Sequence, residues 1–375
     1  MKSVYGHPAA ARHAQRGLRE TLVTNGPFVI SSFDACLYHL VDEKESFHIS
    51  THVDDMIATG TQGGQRIAID CLQAVFEIEI TKEPSMVLGV TILRDKKTKK
   101  TLLHQHQYTK DLLEQEQMDK CNEKPCPMVE GVQGQAKLMH DHEELHENMG
   151  SEAQLRRIVG KLMWLAIKTR PDIMYSVNFL ARFCTTASET QIKWAKRILA
   201  YLKGTSKMGI SIDGNVPLQL QVSADSDWGS DPKTCRSTTG IHITLGGATV
   251  VAASKLQRRV SDSVGMAETY AAHAAVQYVP WLLGLTNEFN LDVPRPVPVY
   301  VDNSGVVSQA QEASRHRSSR HYRLPQAMIR EMQATGIIMA VKVNTEDNVA
   351  DFFTKPLVGK RFRRHRDAIM GQQFQ

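Results

Sequence analysis

Beyond residue 215 the pattern of this 375-residue chain changes from helical spacing to short β-type runs joined by glycine-containing turns, and that change restricts the fold more than any other feature. Leu218 to Ala224, Gly240 to Leu245 and Ala248 to Ala253 read as three strands. A helix from about Met266 to Asn290 follows, then a strand Val297 to Val301, a helix reaching Thr335, a strand Gly336 to Val343 and a short helix around Val349 to Thr354. Three strands, a helix, then alternating strands and helices predict a mixed sheet with helices on its faces. In this reading four carboxylates fall at strand ends or in helices: Asp225 after the first strand, Glu268 opening the long helix, Asp302 ending the fourth strand and Asp351 in the last helix. Such positions can converge at one edge of a sheet. Four acids held together would raise one another's pKa unless divalent cations sat among them, and hard cations such as Mg2+ prefer carboxylate oxygen. Two ions about 3.5 to 4 Å apart would clamp the attacking and leaving oxygens of an in-line phosphodiester hydrolysis. Taken singly, each acid reads more simply as a surface turn residue or a helix cap.

Upstream, the opening residues Val4-Tyr5-Gly6-His7-Pro8 run straight into a helical pattern without a capping sequence, so the chain is expected to begin inside a domain. Phe47 to Gly60 reads as a hairpin with Asp54 and Asp55 at or near its turn. Met86 to Leu93 reads as a strand, Asp95 to Lys100 as its turn, Thr101 to His104 as the return strand, and Tyr108 to Met118 as a helix. The polar, weakly periodic stretch from Asp119 to Gly150 reads as a connector. Beyond it, Leu155, Ile158, Val159, Leu162, Met163 and Ala166 share one helical face, as do Ile192, Ala195, Ile198, Leu199 and Leu202, which predicts a small helical bundle.

A content of 42% hydrophobic and 23% charged residues fits ordinary globular domains, two or three at this length. Lys and Arg exceed Asp and Glu by 45 to 40, which suits a polyanion partner without requiring one. Six scattered cysteines and the absence of a signal-peptide pattern predict reduced thiols and an intracellular protein. The longest apolar stretches are broken by polar residues and too short for a bilayer, so no membrane partner is expected.

The local contexts of the four acids are specific. Asp225-Ser226-Asp227-Trp228, Arg236-Ser237-Thr238-Thr239-Gly240, Met266-Ala267-Glu268-Thr269-Tyr270-Ala271, Val301-Asp302-Asn303 and Ala350-Asp351-Phe352-Phe353-Thr354-Lys355-Pro356-Leu357 resemble, in order, the motifs of the RNase H domain of copia-type LTR retrotransposon polyproteins. That resemblance implies that Asp225, Glu268, Asp302 and Asp351 are catalytic and metal-binding, with two Mg2+ or Mn2+ ions, and that the substrate is the RNA strand of an RNA/DNA hybrid. Met266 stands where the family often carries a second Glu, and Asp227 is an alternative to Asp225 as first ligand. The basic run His316, Arg317, Arg320, His321 and Arg323 resembles the family's stretch before the penultimate helix and implies nucleic-acid contact rather than a solvated turn. The cluster Arg361, Arg363, Arg364, His365 and Arg366 adds to that footprint or forms a solvated tail.

In the first half, Thr51-His52-Val53-Asp54-Asp55-Met56 resembles the paired-aspartate hairpin of reverse transcriptases, which implies metal-holding roles for Asp54 and Asp55. Flanking segments also resemble the copia-type pattern in order, notably Leu88-Gly89-Val90, Thr169-Arg170-Pro171-Asp172-Ile173 and Lys196 to Thr205, so the resemblance covers nearly the whole chain. The family's earlier aspartate motif has no counterpart here, and His52 stands where the family usually has Tyr, so polymerase activity is not expected of this chain alone. The expected fold class is therefore α/β (α+β): a partial reverse-transcriptase palm over 1–120, a connector over 121–150, a helical thumb or connection over 151–213, an RNase H-like mixed sheet over 214–360 and a basic tail over 361–375. Implied partners are nucleic acid, above all an RNA/DNA hybrid, with an upstream reverse-transcriptase part or a second copy as protein partners. The implied location is cytoplasmic, associated with virus-like particles, or nuclear.

Two other readings were weighed. Cys121 and Cys126 with His140, His142 and His146 offer zinc-ligand types, but the spacing is loose and a solvated linker is the simpler account. Trp164, Trp194 and Trp281 lie among apolar helical positions and are expected in cores, whereas Trp228 beside the acids is left open. The alternative to a nuclease is a decayed element copy that binds nucleic acid without cutting it.

Overall fold

The computed structural model describes residues 10–141, 149–311 and 322–371 and falls into two compact units. Unit 1 comprises Met1–Pro84 with Pro280–Asp292. Helix α1 (Ala10–Arg19) runs into a π-turn, Glu20–Thr24, and is followed by strands β1 (Phe28–Ile30), β2 (Leu37–Leu40), β3 (Phe47–His52) and β4 (Asp55–Gly60), antiparallel neighbours in chain order. Helix α2 (Gln62–Gln73) starts at Thr61, whose hydroxyl accepts from the Gly64 N–H and satisfies one of the orphan donors of the first turn. Leu18, Leu22, Phe28, Tyr38, Phe47, Ile49, Ala68 and Leu72 form its apolar core. β2 is buried along its whole length because the second face of the sheet is covered too: Phe289 packs its ring against His39 and His48, and Glu288 bonds His39 Nε2 at 3.0 Å.

Unit 2 holds the rest of the described chain. Strands β5 (Met86–Val87), β6 (Val90–Asp95), β7 (Lys100–His104) and β8 (Gly209–Asp213) make an antiparallel sheet in that order. Where one strand was expected over Met86 to Leu93 there are two, because Leu88 and Gly89 both take positive φ, 49° and 74°, as a tight two-residue hairpin turn requires. Helices α3 (His106–Gln115), α4 (Val132–Asp141), α5 (Met149–Lys168), α6 (Met174–Ala181) and α7 (Glu189–Gly204) build the bundle. α4 lies in the stretch expected to be a connector, which is no solvated linker there: Cys126, Met128, Val132 and Ala136 are buried in the core with Leu155, Ile158, Leu162 and Ile198. Arg170 is fully buried and held bidentate by Asp172 at 2.9 and 2.7 Å, and Tyr201 donates to the same carboxylate at 2.6 Å. This pairing lets a guanidinium sit in an apolar interior between α5 and α6.

The second sheet of unit 2 contains β9 (Leu220–Ser226), β10 (Thr238–Leu245), β11 (Ala248–Leu256), β12 (Val297–Val301) and β13 (Ile338–Lys342) in the order β11-β10-β9-β12-β13. The first three are antiparallel, whereas β9, β12 and β13 run parallel, giving the mixed sheet expected from the sequence. Its helices are α8 (Val264–Val276), α10 (Ser304–Gln311), α11 (Arg323–Ala334) and α12 (Gly359–Met370). The single helix expected over Met266 to Asn290 is two, α8 and α9 (Tyr278–Glu288), the latter counting with unit 1 from Pro280 onward. Pro280 has no N–H to return to Val276, so the first helix stops and the proline falls in the first turn of the next, where that donor is not needed. The expected basic tail is largely helix α12, with Phe362, His365, Ile369 and Met370 buried. Helix α10 was not anticipated. Its start is marked by Asn303, whose Oδ1 accepts from the Gly305 N–H at 2.8 Å.

Candidate active site

Strand register explains how acids distant in sequence meet. β9 and β12 are parallel with Tyr300 opposite Ser223, so two residues further along Asp302 comes level with Asp225, where both strands end and both side chains leave the same face. Helix α8 packs on β9 and enters from the same end, capped by Ser263, whose hydroxyl accepts from the Met266 N–H at 3.2 Å. Glu268, in the second turn, then reaches the pair. Ligating oxygens of Asp225, Glu268 and Asp302 all lie within 4.8 Å of one another. This is the sole such group of three or more potential metal ligands among the described residues.

Asp225 and Glu268 are buried, and Asp302 is partly open to solvent. Burial, and then the charge of Asp351, pushes the Asp225 carboxyl up to about 8. Burial, followed by the charges of Asp225 and Asp302, raises Glu268 to about 9. The Thr354 hydroxyl donates to Asp225 Oδ2 at 2.5 Å, and the Thr345 hydroxyl donates to Asp302 Oδ2 at 2.9 Å.

Asp351 lies in a 3-10 turn, Val349–Phe353, beside Asp225, yet it is not one of the clustered three. It is fully buried and answered by two cations: Lys355 at 2.8 Å, and Arg361, which also donates to the Thr345 carbonyl at 2.8 Å. The turn is clamped to the sheet by Asn348, whose side chain donates to the Ala224 carbonyl at 3.1 Å. It also needs Gly240. A Cβ there would meet the Ala350 carbonyl oxygen at 2.6 Å and the Thr354 methyl at 2.7 Å.

Asp227 is turned to structural work: its carboxylate accepts from the Thr238 N–H and from the Ser230 hydroxyl. Asp54 and Asp55 sit at the exposed β3–β4 turn, with His52 opposite Asp55 and Val53 at φ 54°. Arg317, Arg320 and His321 lie outside the described residues, as does His316. Arg323 opens α11 and is exposed. In the cluster near the carboxyl end Arg361 pairs with Asp351 and Glu346, Arg364 with Asp347 and Arg366 with Asp367, while Arg363 and Arg364 remain exposed. Cys126 is buried with its thiol on the Met128 carbonyl, and Cys121 has its own carbonyl taken by Lys203; His142 and His146 lie outside the described residues, and nothing is described of the His140 side chain. Trp194 is core as expected, whereas Trp164 and Trp281 are exposed by 38% and 39%. Sequence reasoning missed the supporting groups Gly240, Thr345, Asn348, Thr354, Lys355 and Arg361. Thr354 and Lys355 stood in a motif already noticed, Lys355 four residues after Asp351, which it serves, and Thr354 far in sequence from Asp225, to which it donates.

No protein-family model matches the chain. It is 31% identical over 372 residues to the retrovirus-related Pol polyprotein from transposon RE1 of Arabidopsis thaliana, covering 98% of this chain and 24% of that protein. It is 30% identical over 358 residues to the corresponding polyprotein from transposon RE2 of the same plant, covering 95% and 24%. An RNase H1 isolated from compost by a metagenomic approach is similar at 17% identity and a TM-score of 0.28, over 36% of this chain and 92% of that one. Its homologues over nearly its whole length are thus retrovirus-related Pol polyproteins of copia-type retrotransposons, and it spans about a quarter of the length of the relatives it matches. No described helix is long and apolar enough to cross a membrane.

Proposed function

We propose that this chain is a reverse transcriptase/RNase H region of such a polyprotein and that its acidic edge hydrolyses the RNA strand of RNA/DNA hybrids. The observation carrying this reading is the meeting of Asp225, Glu268 and Asp302 within 4.8 Å, with two of the three buried. Buried carboxyls raised to about 8 and 9 are poorly placed to act as ordinary charged surface groups. An all-carboxylate donor set of this size fits a hard divalent cation such as Mg2+ or Mn2+, whose charge would return the acids to their ionised form. Asp225, Glu268 and Asp302 would hold the cation, which when bound would supply Lewis-acid stabilisation of the phosphoryl oxygens. A second ion in the same edge is part of this reading.

The chain's own groups have distinct tasks. Thr354 fixes the rotamer of Asp225, Thr345 that of Asp302, and the Ser226 backbone bonds Glu268. Asp351 is the fourth acid of the reading, and ligation through it would require Lys355 or Arg361 to be exchanged for the cation. Hybrid selection through shape and 2'-hydroxyl contacts needs no base readout. Asp54 and Asp55 descend, in this reading, from a polymerase site, and no nucleotide incorporation is expected of this chain alone. The test is cleavage of a labelled RNA/DNA hybrid in Mg2+ by the full chain. We expect cutting that Asp302→Asn reduces by about a hundredfold or more, with hybrid binding retained. Binding without cutting by the unmutated chain would overturn the nuclease reading and leave a nucleic-acid-binding relic.

A further inference from the structure

We propose that Trp228, with Arg258 and Arg259, forms a docking platform for one nucleic-acid strand beside the acidic edge. The choice of a nucleic acid as ligand rests on the reading above; the platform itself rests on separate observations. Of the four tryptophans Trp228 is the most exposed, at 56%, although an indole face left in water is unfavourable. It is nevertheless held in place, because its N–H donates to the Ser261 carbonyl at 2.9 Å. The bond ties the segment after β9 to the loop between β11 and α8. That loop is itself braced: the Ser261 hydroxyl donates to Gln257 at 2.9 Å, and the Gln257 side chain donates to Thr239 at 3.1 Å and to the Ala267 carbonyl at 3.0 Å. A neighbouring turn joins in, with the Gly229 N–H on the Ser237 hydroxyl and the Gln257 N–H on the Ser237 carbonyl.

The same loop carries Arg258, Arg259 and Val260, all exposed, with Lys255 exposed near the end of β11 just before it, and the acid within the loop is Asp262. Among the described residues none of the three cations makes an ion pair, in contrast to Arg361, Arg364 and Arg366 of α12, whose charges are all met by acids of the same unit. Positive charge that no acid answers is therefore placed close to a fixed, open indole. Trp228 lies three residues beyond Asp225, and Ser261 lies two before the cap of the helix that carries Glu268. Guanidinium groups meeting phosphates and an aromatic face meeting a sugar or base are the two elements of sequence-independent strand binding. A strand laid across them passes into the acidic edge.

The test uses the full chain carrying Asp302→Asn, so that substrate survives, and a fluorescein-labelled RNA/DNA hybrid titrated in Mg2+ over a series of salt concentrations. Replacing Arg258 and Arg259 together with Ala is expected to lower the slope of log affinity against log salt by about two. Trp228→Ala is expected to weaken binding about tenfold, and Trp228→Phe, which keeps a ring but not the N–H, to recover most of it. An unchanged affinity and salt slope in the arginine variant, or a Trp228→Phe protein as weak as Trp228→Ala, would overturn the platform. Hydrolysis by the chain with Asp302 intact is scored separately. Cutting with unchanged salt slopes removes the platform and keeps the nuclease, whereas altered slopes without cutting remove the nuclease and keep the platform.

Discussion

Replacing Glu268 by Gln should make the metal-free protein more stable while abolishing cutting. Glu268 is 6% exposed, and its carboxyl is raised from 4.5 to about 9, first by burial and then by Asp225 and Asp302. Below pH 4.5 the folded and unfolded chains both carry the proton, and the group contributes nothing to pH dependence. As pH rises further, the unfolded chain releases its proton and the folded one keeps it, so stability falls. From 4.5 to pH 7 that is about 2.5 pH units at about 1.4 kcal/mol each, or about 3–4 kcal/mol at most. Gln fills the same space without a titrating proton, so the loss disappears. Urea unfolding in EDTA followed by tryptophan fluorescence should show Glu268→Gln and unmutated protein alike at pH 4 and the variant more stable at pH 7. Added Mg2+ should stabilise the unmutated chain and do much less for the variant. A variant no more stable than the parent at pH 7, or more stable by the same amount at pH 4, would refute the argument.

Further outcomes follow from neighbouring packing. Gly240→Ala pushes a methyl against the Ala350 carbonyl and Thr354, so it should displace the turn bearing Asp351, destabilise by about 1–3 kcal/mol in urea titrations and slow hybrid cleavage. Arg170→Ala leaves the Asp172 charge buried with its cation gone and only the Tyr201 hydroxyl to answer it, and a loss of about 3–5 kcal/mol is expected in the same titration. His242 is buried and held down to about 4 by burial and by His365, so as pH falls from 6.5 toward 4 the unfolded chain gains this proton first and stability drops. The stability difference between the parent and His242→Asn should therefore shift against the parent by up to about 3 kcal/mol over that range, read from urea midpoints at each pH.

How far the chain could be read in advance varied with the range of the forces involved. The strands β9, β10, β11, β12 and β13 lay close to where the sequence put them, because short β-type runs bounded by turn residues are a local property. The α5 and α7 faces were legible for the same reason. The stretch around Cys126 to Ala136 was misread, since its few apolar residues gain their burial only from α5 and α7, which arrive later in the chain. The Leu88-Gly89 turn left a signal in its glycine, and Pro280 left one in the long helix, but each competed with a run of apolar neighbours.

The sequence alone determined which residues carry carboxylates at the ends of strands and in helices, and the order in which motifs occur. Only the tertiary structure decided which acids share a site. Parallel register sets Asp302 level with Asp225, and α8 delivers Glu268 to them, while Lys355 and Arg361 occupy Asp351. The reason is that Coulombic and hydrogen-bond energies depend on distances between groups many residues apart, which no local spacing encodes.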